Sequence, residues 1–285
     1  MIIFKKTDDL KAFLNEKKST NDRIGFVPTM GALHNGHLAL ITLAKQQTGI
    51  CVCSIFVNPT QFNDKSDFEK YPVTISSDIE MLEAAGCDVL FFPPVEEIYP
   101  KGTDAAPTYD FDYLETILEG AHRPGHFKGV GQVVGRLLDI VNPDSLFLGQ
   151  KDYQQCMVLS RLLDLTNRKD TVELVIAPTV READGLAMSS RNRRLTEPQR
   201  ALAGLIYQCL VSIQTKQVSG NFPVVQKECM ELLKAKGFEP EYVALANAET
   251  LELLENYDEH VPMVALIAAK ISTIRLIDNM VLRNT

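Results

Sequence analysis

No apolar run in the 285 residues approaches the roughly 18 needed to cross a membrane. The nearest, 261–269, is far too short. The opening stretch Met1-Ile2-Ile3-Phe4-Lys5-Lys6-Thr7-Asp8-Asp9 lacks the long apolar core of a signal peptide, so a cytoplasmic protein with no membrane partner is expected. Positive charge is scarce as well. The 29 Lys and Arg against 37 Asp and Glu leave a formal charge of -8, which excludes broad attraction to nucleic acid or anionic lipid, so no nucleic-acid partner is expected and any anion must be captured locally. The six cysteines, at 51, 53, 87, 156, 209 and 229, show no CxxC spacing and have no clustered histidines beside them. That pattern argues against zinc sites and disulfide frameworks and for scattered buried thiols, with Cys51 and Cys53 on one face of a strand. There is no internal repeat, no low-complexity segment and no activated-nucleophile motif.

What is present suits a soluble fold. Hydrophobic residues make up 45% and charged residues 23%, and the length accommodates two modest domains. From residue 23 to about 168, short branched or aromatic runs alternate with amphipathic segments, the mark of a parallel sheet covered by helices. Strands are expected at 24–28, 50–57, 89–92, 145–148 and 172–177, and helices at 36–47, 76–85, 129–141 and 153–165. Asn142-Pro143 should stop the third helix. After Pro178 a polar, basic loop from Arg181 to Arg194 leads to helices at 198–216 and 224–236, then strands at 242–246, 264–272 and 273–276. The expected class is α/β: a Rossmann-like parallel sheet with helices on both faces over 1–177, plus a small C-terminal α+β domain over 178–285.

The strongest local signal is Pro28-Thr29-Met30-Gly31-Ala32-Leu33-His34-Asn35-Gly36-His37, at the end of the first expected strand, the edge where open α/β sheets bind ligands. Gly31 and Gly36 permit close backbone approach, the following helix offers unpaired N–H groups, and two histidines three residues apart can donate to one anion. The same pair also reads as helix-capping or surface histidines, or as two ligands of a metal. A metal needs further ligands, and none are adjacent. A second polar stretch, Arg181-Glu182-Ala183-Asp184-Gly185-Leu186-Ala187-Met188-Ser189-Ser190-Arg191-Asn192, reads either as a solvated linker or as a hinged loop whose hydroxyls and guanidinium grip phosphate.

Asn58 and Gln61, past a strand end, carry neutral amides suited to hydroxyl and carboxylate groups, though taken alone the segment reads rather as an Asn-Pro turn with an incidental Gln. Gln155, early in a helix, can meet Gln61 across one small ligand. Lys151, after Gly149 and Gln150, places an ammonium at a strand end, and Asp152 fits a helix cap. Arg123 and His126 sit in a Gly- and Pro-rich stretch that also reads as a basic loop.

Together these segments resemble the adenylate-forming nucleotidyltransferases. The stretches Phe56-Val57-Asn58-Pro59-Thr60-Gln61-Phe62, Arg123-Pro124-Gly125-His126-Phe127, Gly149-Gln150-Lys151-Asp152-Tyr153-Gln154-Gln155 and Met188 to Asn192 narrow the resemblance to the pantothenate synthetases, over essentially the whole chain. The sequence departs from the family pattern at Gln150, where Glu is common, and at Lys70 and Val73, where Arg is frequent. The resemblance implies an AMP-forming ligase that joins pantoate to β-alanine with ATP as substrate and Mg2+ held mainly by the ATP phosphates. It implies catalytic roles for His34, His37 and Lys151. ATP would be bound by Met30, Gly31, Ala32, Leu33, His34, Asn35, Gly36 and His37, by Gly149, Gln150, Lys151 and Asp152, and by Val180, Met188, Ser189, Ser190 and Arg191. Pantoate would lie on Gln61 and Gln155, and β-alanine on Asn58, Gln61 and Arg123, with no protein metal ligand. The resemblance also implies a homodimer in which the C-terminal domain forms a lid over the site.

Overall fold

Branched and aromatic residues in runs too short for helices pair side by side into a six-stranded sheet. A computed structural model of the chain describes residues 1–62, 68, 71–217 and 221–282, so Lys70 lies outside the described residues. The strands are β1 (Ile2–Phe4), β2 (Ile24–Thr29), β3 (Ile50–Ile55), β4 (Val89–Phe91), β5 (Ser145–Gly149) and β6 (Glu173–Ala177). Every pairing is parallel and the spatial order is β1-β4-β3-β2-β5-β6. Between them run α1 (Thr7–Ser19), α2 (Asn35–Gln47), α3 (Ile75–Ala84), α4 (Val95–Ile98), α5 (Leu118–His122), α6 (His126–Val141) and α7 (Tyr153–Leu165).

Alternate side chains of a strand point to opposite faces, and both faces of this sheet are buried. On one face Val27, Cys51, Cys53, Leu90 and Phe147 pack with Leu40, Ile41 and Ala44 of α2 and Leu82 of α3. The two cysteines thus share a face, as their spacing predicts, and all six cysteines are buried thiols outside any disulfide. On the other, Phe26, Val52, Phe91 and Leu146 are fully buried, and α1 and α6 pack on each other. Helix α6 buries Val130, Val133, Val134, Leu137, Leu138 and Val141. At roughly 1.5–3 kcal/mol for each fully buried side chain, that stripe is what docks it. It ends at Asn142 in the left-handed conformation, just before Pro143.

The chain divides into two compact units, one of Met1–Gly149 with Gln154–Ala177 and one of Gln150–Tyr153 with Pro178–Thr285. Gln150–Tyr153, which the sequence reading assigns to the first domain, belongs with the second unit. That unit contains α8 (Glu197–Ala203), α9 (Leu205–Lys216) and α10 (Phe222–Ala235), then the antiparallel sheet β7-β8-β9 formed by Phe238–Asn247, Met263–Ile271 and Ile274–Val281. Ile206, Leu210 and Ile213 of α9 and Val225 and Leu233 of α10 form its core with Val243, Leu245, Ala265 and Ile267 of the sheet.

Several boundaries differ from the sequence expectation: helix α1 is absent from it, β7 begins at Phe238 rather than 242, and β9 runs to Val281 rather than 276. Strand β1, three residues on the sheet edge, is too short to show a period. The helix expected at 198–216 is interrupted at Gly204. Helix α6 starts at His126 rather than 129, after Gly125 takes a left-handed φ of 80°.

Candidate active site

Strand β2 has β3 on one side and β5 on the other, so the chain order reverses there and a crevice opens beyond the carboxyl ends of these strands. The turn leaving β2 is fixed from three sides. The Thr29 hydroxyl donates to the Ser54 carbonyl at 2.8 Å and accepts from the Gly31 N–H at 3.2 Å. Gly31 and Ala32 both take positive φ, 80° and 49°, a conformation easy for the first and strained for the second. Asp78 on α3, 2% exposed, holds that strain: its carboxylate accepts from the Ala32 and Leu33 N–H groups at 2.9 Å each and from the Thr74 hydroxyl at 3.1 Å. Sequence reasoning missed Asp78, because an acid in the first turn of a helix is ordinary and its partners lie 45 and 46 residues away.

The two histidines come together. Their rings lie 4.1 Å apart between centroids. His34 is the N-cap of α2, its Nδ1 accepting from the Gly36 N–H at 3.1 Å, and His37 Nδ1 accepts in return from the His34 N–H at 3.3 Å. An Nδ1 lone pair facing an N–H places the proton of each neutral ring on Nε2. The capping and anion-donor readings are therefore compatible: one nitrogen of each ring builds the helix start, and the other is a donor. Asn35 and Gly36 open the helix between them, at the end where a helix favours anions.

Past β3, Asn58, Pro59, Thr60 and Gln61 form a tight turn. Gln61 is largely buried, and its Nε2 approaches Met30 Sδ at 2.7 Å, which joins this turn to the one after β2. Asn58 is 0% exposed and its amide is taken up: Nδ2 donates to the Gly129 carbonyl (3.1 Å) and Gln61 Oε1 (3.3 Å), while Oδ1 accepts from Tyr99 and Thr60. A buried, saturated amide of this kind braces Gln61. A Cβ on Gly129 would stand 2.4 Å from the Thr60 carbonyl oxygen and 2.8 Å from Gln61 N, so α6 seats against the turn backbone to backbone.

His126, on the first turn of α6, links two expected site residues. Its Nδ1 meets the Gln61 carbonyl at 2.8 Å and its Nε2 meets Arg123 at 3.0 Å. A carbonyl accepts and a guanidinium donates, so the neutral Nδ1–H tautomer is the one that fits between them. Gly149 ends β5, and its carbonyl accepts from Cys156 Sγ at 3.5 Å. Gln155 is half-buried on the first turn of α7, and among the described residues no protein group hydrogen-bonds its amide. Its neighbour Gln154 is structural, tying Leu114, Ile117 and Glu119.

The second unit holds the remaining expected residues. Asn279 donates to the carbonyls of Gln150 and Lys151 at 2.9 Å each and accepts from Gln150 Nε2 at 3.1 Å. Lys151 pairs with Asp152 at 3.6 Å. The stretch expected as a hinged loop begins as a braced hairpin: Arg181 bridges Ala187, Met188 N–H donates to the Val180 carbonyl, and Arg181 forms a two-pronged ion pair with Asp278 of β9 at 2.5 and 3.0 Å. The guanidinium also lies 4.3 Å from the Tyr207 ring. Burial raises the Asp278 carboxyl above its ordinary range, and Arg181, the Asn279 N–H and the Lys151 charge act against that rise. Ser189 caps the short turn that follows, accepting from the Arg191 N–H, and Ser190 is buried within it. Among the described residues no group of three His, Cys, Asp or Glu is arranged to hold a metal, and no helix is long and apolar enough to cross a membrane.

Comparison with known proteins meets this geometry. Residues 2–281 match the model of the Pantoate-beta-alanine ligase family. The chain is 44% identical over 285 residues to a pantothenate synthetase of Cytophaga hutchinsonii, covering 99% of each chain. It is 45% identical over 278 residues to one of Pseudomonas fluorescens, covering 97% of this chain and 96% of the relative. Among solved structures, the pantothenate synthetase of Thermus thermophilus superposes with a TM-score of 0.90 at 38% identity, covering 98% of this chain and 99% of that one. A pantoate-beta-alanine ligase from Francisella tularensis, complexed with beta-gamma ATP and beta-alanine, gives a TM-score of 0.83 at 36% identity, covering 99% and 97%. On full-length sequence and fold alike, this chain belongs to the pantoate-beta-alanine ligase family.

Proposed function

We propose that this enzyme condenses pantoate with β-alanine through a pantoyl adenylate, forming pantothenate, AMP and pyrophosphate from ATP. The observation that carries the reading is the family match over residues 2–281. In the first step a pantoate carboxylate oxygen bonds to the α-phosphorus of ATP and the bond from that phosphorus to the pyrophosphate oxygen breaks. In the second, the β-alanine amine bonds to the acyl carbon, AMP leaves, and the amine loses a proton.

Such a route needs positioning and positive charge more than a covalent nucleophile. His34 and His37, with donors on Nε2, and the ammonium of Lys151 stabilise the α-phosphoryl transition state and the leaving pyrophosphate. The nucleotide is assigned to the Met30–Leu33 turn and the start of α2, to Gly149, Gln150, Lys151 and Asp152, and to Val180 with Met188, Ser189, Ser190 and Arg191. Gln61 and Gln155 hold pantoate, and Asn58, Gln61 and Arg123 form the β-alanine region, with Asn58 acting through its bond to Gln61. The open amide of Gln155 and the pinned amide of Gln61 suit those roles. ATP enters as its magnesium complex, with the ion held by phosphate oxygens and water as a small hard cation prefers. The first unit is assigned to ATP and pantoate and the second to a lid. A cytoplasmic homodimer is the form implied by the family resemblance.

The test follows labelled pyrophosphate into ATP with purified protein, magnesium and pantoate. Exchange that requires pantoate and proceeds without β-alanine is expected, since the adenylate forms before the amine reacts. Exchange absent under these conditions, or indifferent to pantoate, overturns the reading.

A further inference from the structure

A glutamine amide presents a donor at one end and an acceptor at the other, so a site that recognises an acid must decide which end faces the ligand. We propose that Tyr99 is a positioning residue for pantoate, which through Asn58 turns the Gln61 amide so that its NH2 faces the substrate. This rests on the pantoate role of Gln61 proposed above.

Tyr99 is buried at the end of α4, and its hydroxyl donates to Asn58 Oδ1 at 2.9 Å. The same oxygen receives the Thr60 N–H at 3.4 Å and the Thr60 hydroxyl at 3.2 Å. The Thr60 N–H can only donate and the Gly129 carbonyl can only accept, so the Asn58 oxygen lies on the Thr60 side and Nδ2 on the other. The Tyr99 and Thr60 hydroxyls donate to that oxygen and hold the amide in this sense. Nδ2 donates to the Gly129 carbonyl and to Gln61 Oε1. The acceptor end of Gln61 is thereby occupied, and its NH2 is turned toward Met30 Sδ. A thioether sulfur is a weak acceptor, so a carboxylate or hydroxyl oxygen can take its place at little cost. Burial raises the Tyr99 phenol above its ordinary range, so it stays a donor through neutral and mildly alkaline pH. His126 holds the Gln61 backbone carbonyl separately, so the Tyr99 bond bears on the amide and not on that carbonyl.

Tyr99→Phe keeps the ring, and with it the packing on Phe56, while deleting the donor. Steady-state kinetics of the full chain should show the pantoate KM rising about three- to tenfold, the scale of one hydrogen bond, with kcat and the ATP KM within about twofold. In a Gln61→Ala background, pantoate affinity by calorimetry should show no further loss from Tyr99→Phe, because the amide it orients is gone. An unchanged pantoate KM, an equal rise in the ATP KM, or the same loss with and without Gln61 overturns the proposal. If Tyr99→Phe does not fold, Thr60→Val removes another donor to the same oxygen and is held to the same criteria. Wild-type exchange that ignores pantoate would sink the proposed function itself; normal wild-type exchange with an indifferent Tyr99→Phe would sink this inference alone.

Discussion

An imidazole that caps a helix through Nδ1 carries its proton on Nε2, and the fold thereby selects the tautomer before any substrate arrives. His37 stands in this position, accepting the His34 N–H while its ring lies against that of His34. A donor whose hydrogen bond strengthens as charge builds on the phosphoryl group acts on the transition state rather than on ground-state binding. His37→Ala is accordingly expected to lower turnover about 100-fold or more, while pantoate affinity measured by calorimetry stays within about threefold. Loss of the cap should add a modest drop in melting temperature, corresponding to about 1 kcal/mol. Parallel losses in turnover and pantoate affinity would remove the histidine from the phosphoryl role.

Between elements, the decisive contact is that of α6 with the turn after β3. Gly129 lets the helix approach where any side chain would meet the Thr60 carbonyl and the Gln61 nitrogen, both backbone atoms that cannot rotate aside. Gly129→Ala therefore has to push the turn off the helix, at a cost of about 1–3 kcal/mol, and Gln61 moves with it. The expected result is a fall of about tenfold in pantoate affinity. Gly131→Ala is the control: the added methyl would meet the Phe111 ring, away from Gln61, so it should lower the melting temperature and leave pantoate binding in place. Equal effects of the two substitutions on binding would show that the contact is structural alone. The same element shows where pattern reading reaches its limit. The apolar stripe of α6 is evident from Val130 to Val141, but its first turn is not, because Gly125-His126 reads as a loop until the left-handed glycine and the carbonyl partner of His126 are known. The hairpin at 180–188 likewise reads as a linker, since its ties to Asp278 and Tyr207 span 97 and 26 residues of sequence, the latter being the difference of 207 and 181.

At the scale of the molecule, the chain leaves the first unit after β5, spends Gln150–Tyr153 in the second, and returns for α7. Those four residues are gripped by partners far along the chain: Asn279 takes the Gln150 and Lys151 carbonyls, and the Tyr153 hydroxyl donates to the Ala248 carbonyl at 2.6 Å. The position of Lys151 thus depends on a strand 128 residues away. Asn279→Ala should leave two carbonyls without their donor and loosen the lysine, lowering the rate of pantoate-dependent pyrophosphate exchange about tenfold with pantoate affinity unchanged. Exchange at the wild-type rate would mean that Lys151 is held by something other than β9.

The sequence by itself determined the parallel α/β class, the second α+β unit, and the glycine- and histidine-bearing turn at the end of β2. These follow from local periodicity and from the residues a strand-to-helix turn demands, which are written within single helices, strands and turns. Tertiary structure alone decided that Asp78 restrains the strained Gly31-Ala32 turn, that Asn58 is a brace, that Tyr99 orients it, and that Asn279 holds the lysine segment. Each is one hydrogen-bonding group meeting a partner tens of residues away, and such a pairing leaves no period in the chain because it exists only once the sheet has brought its strand ends together.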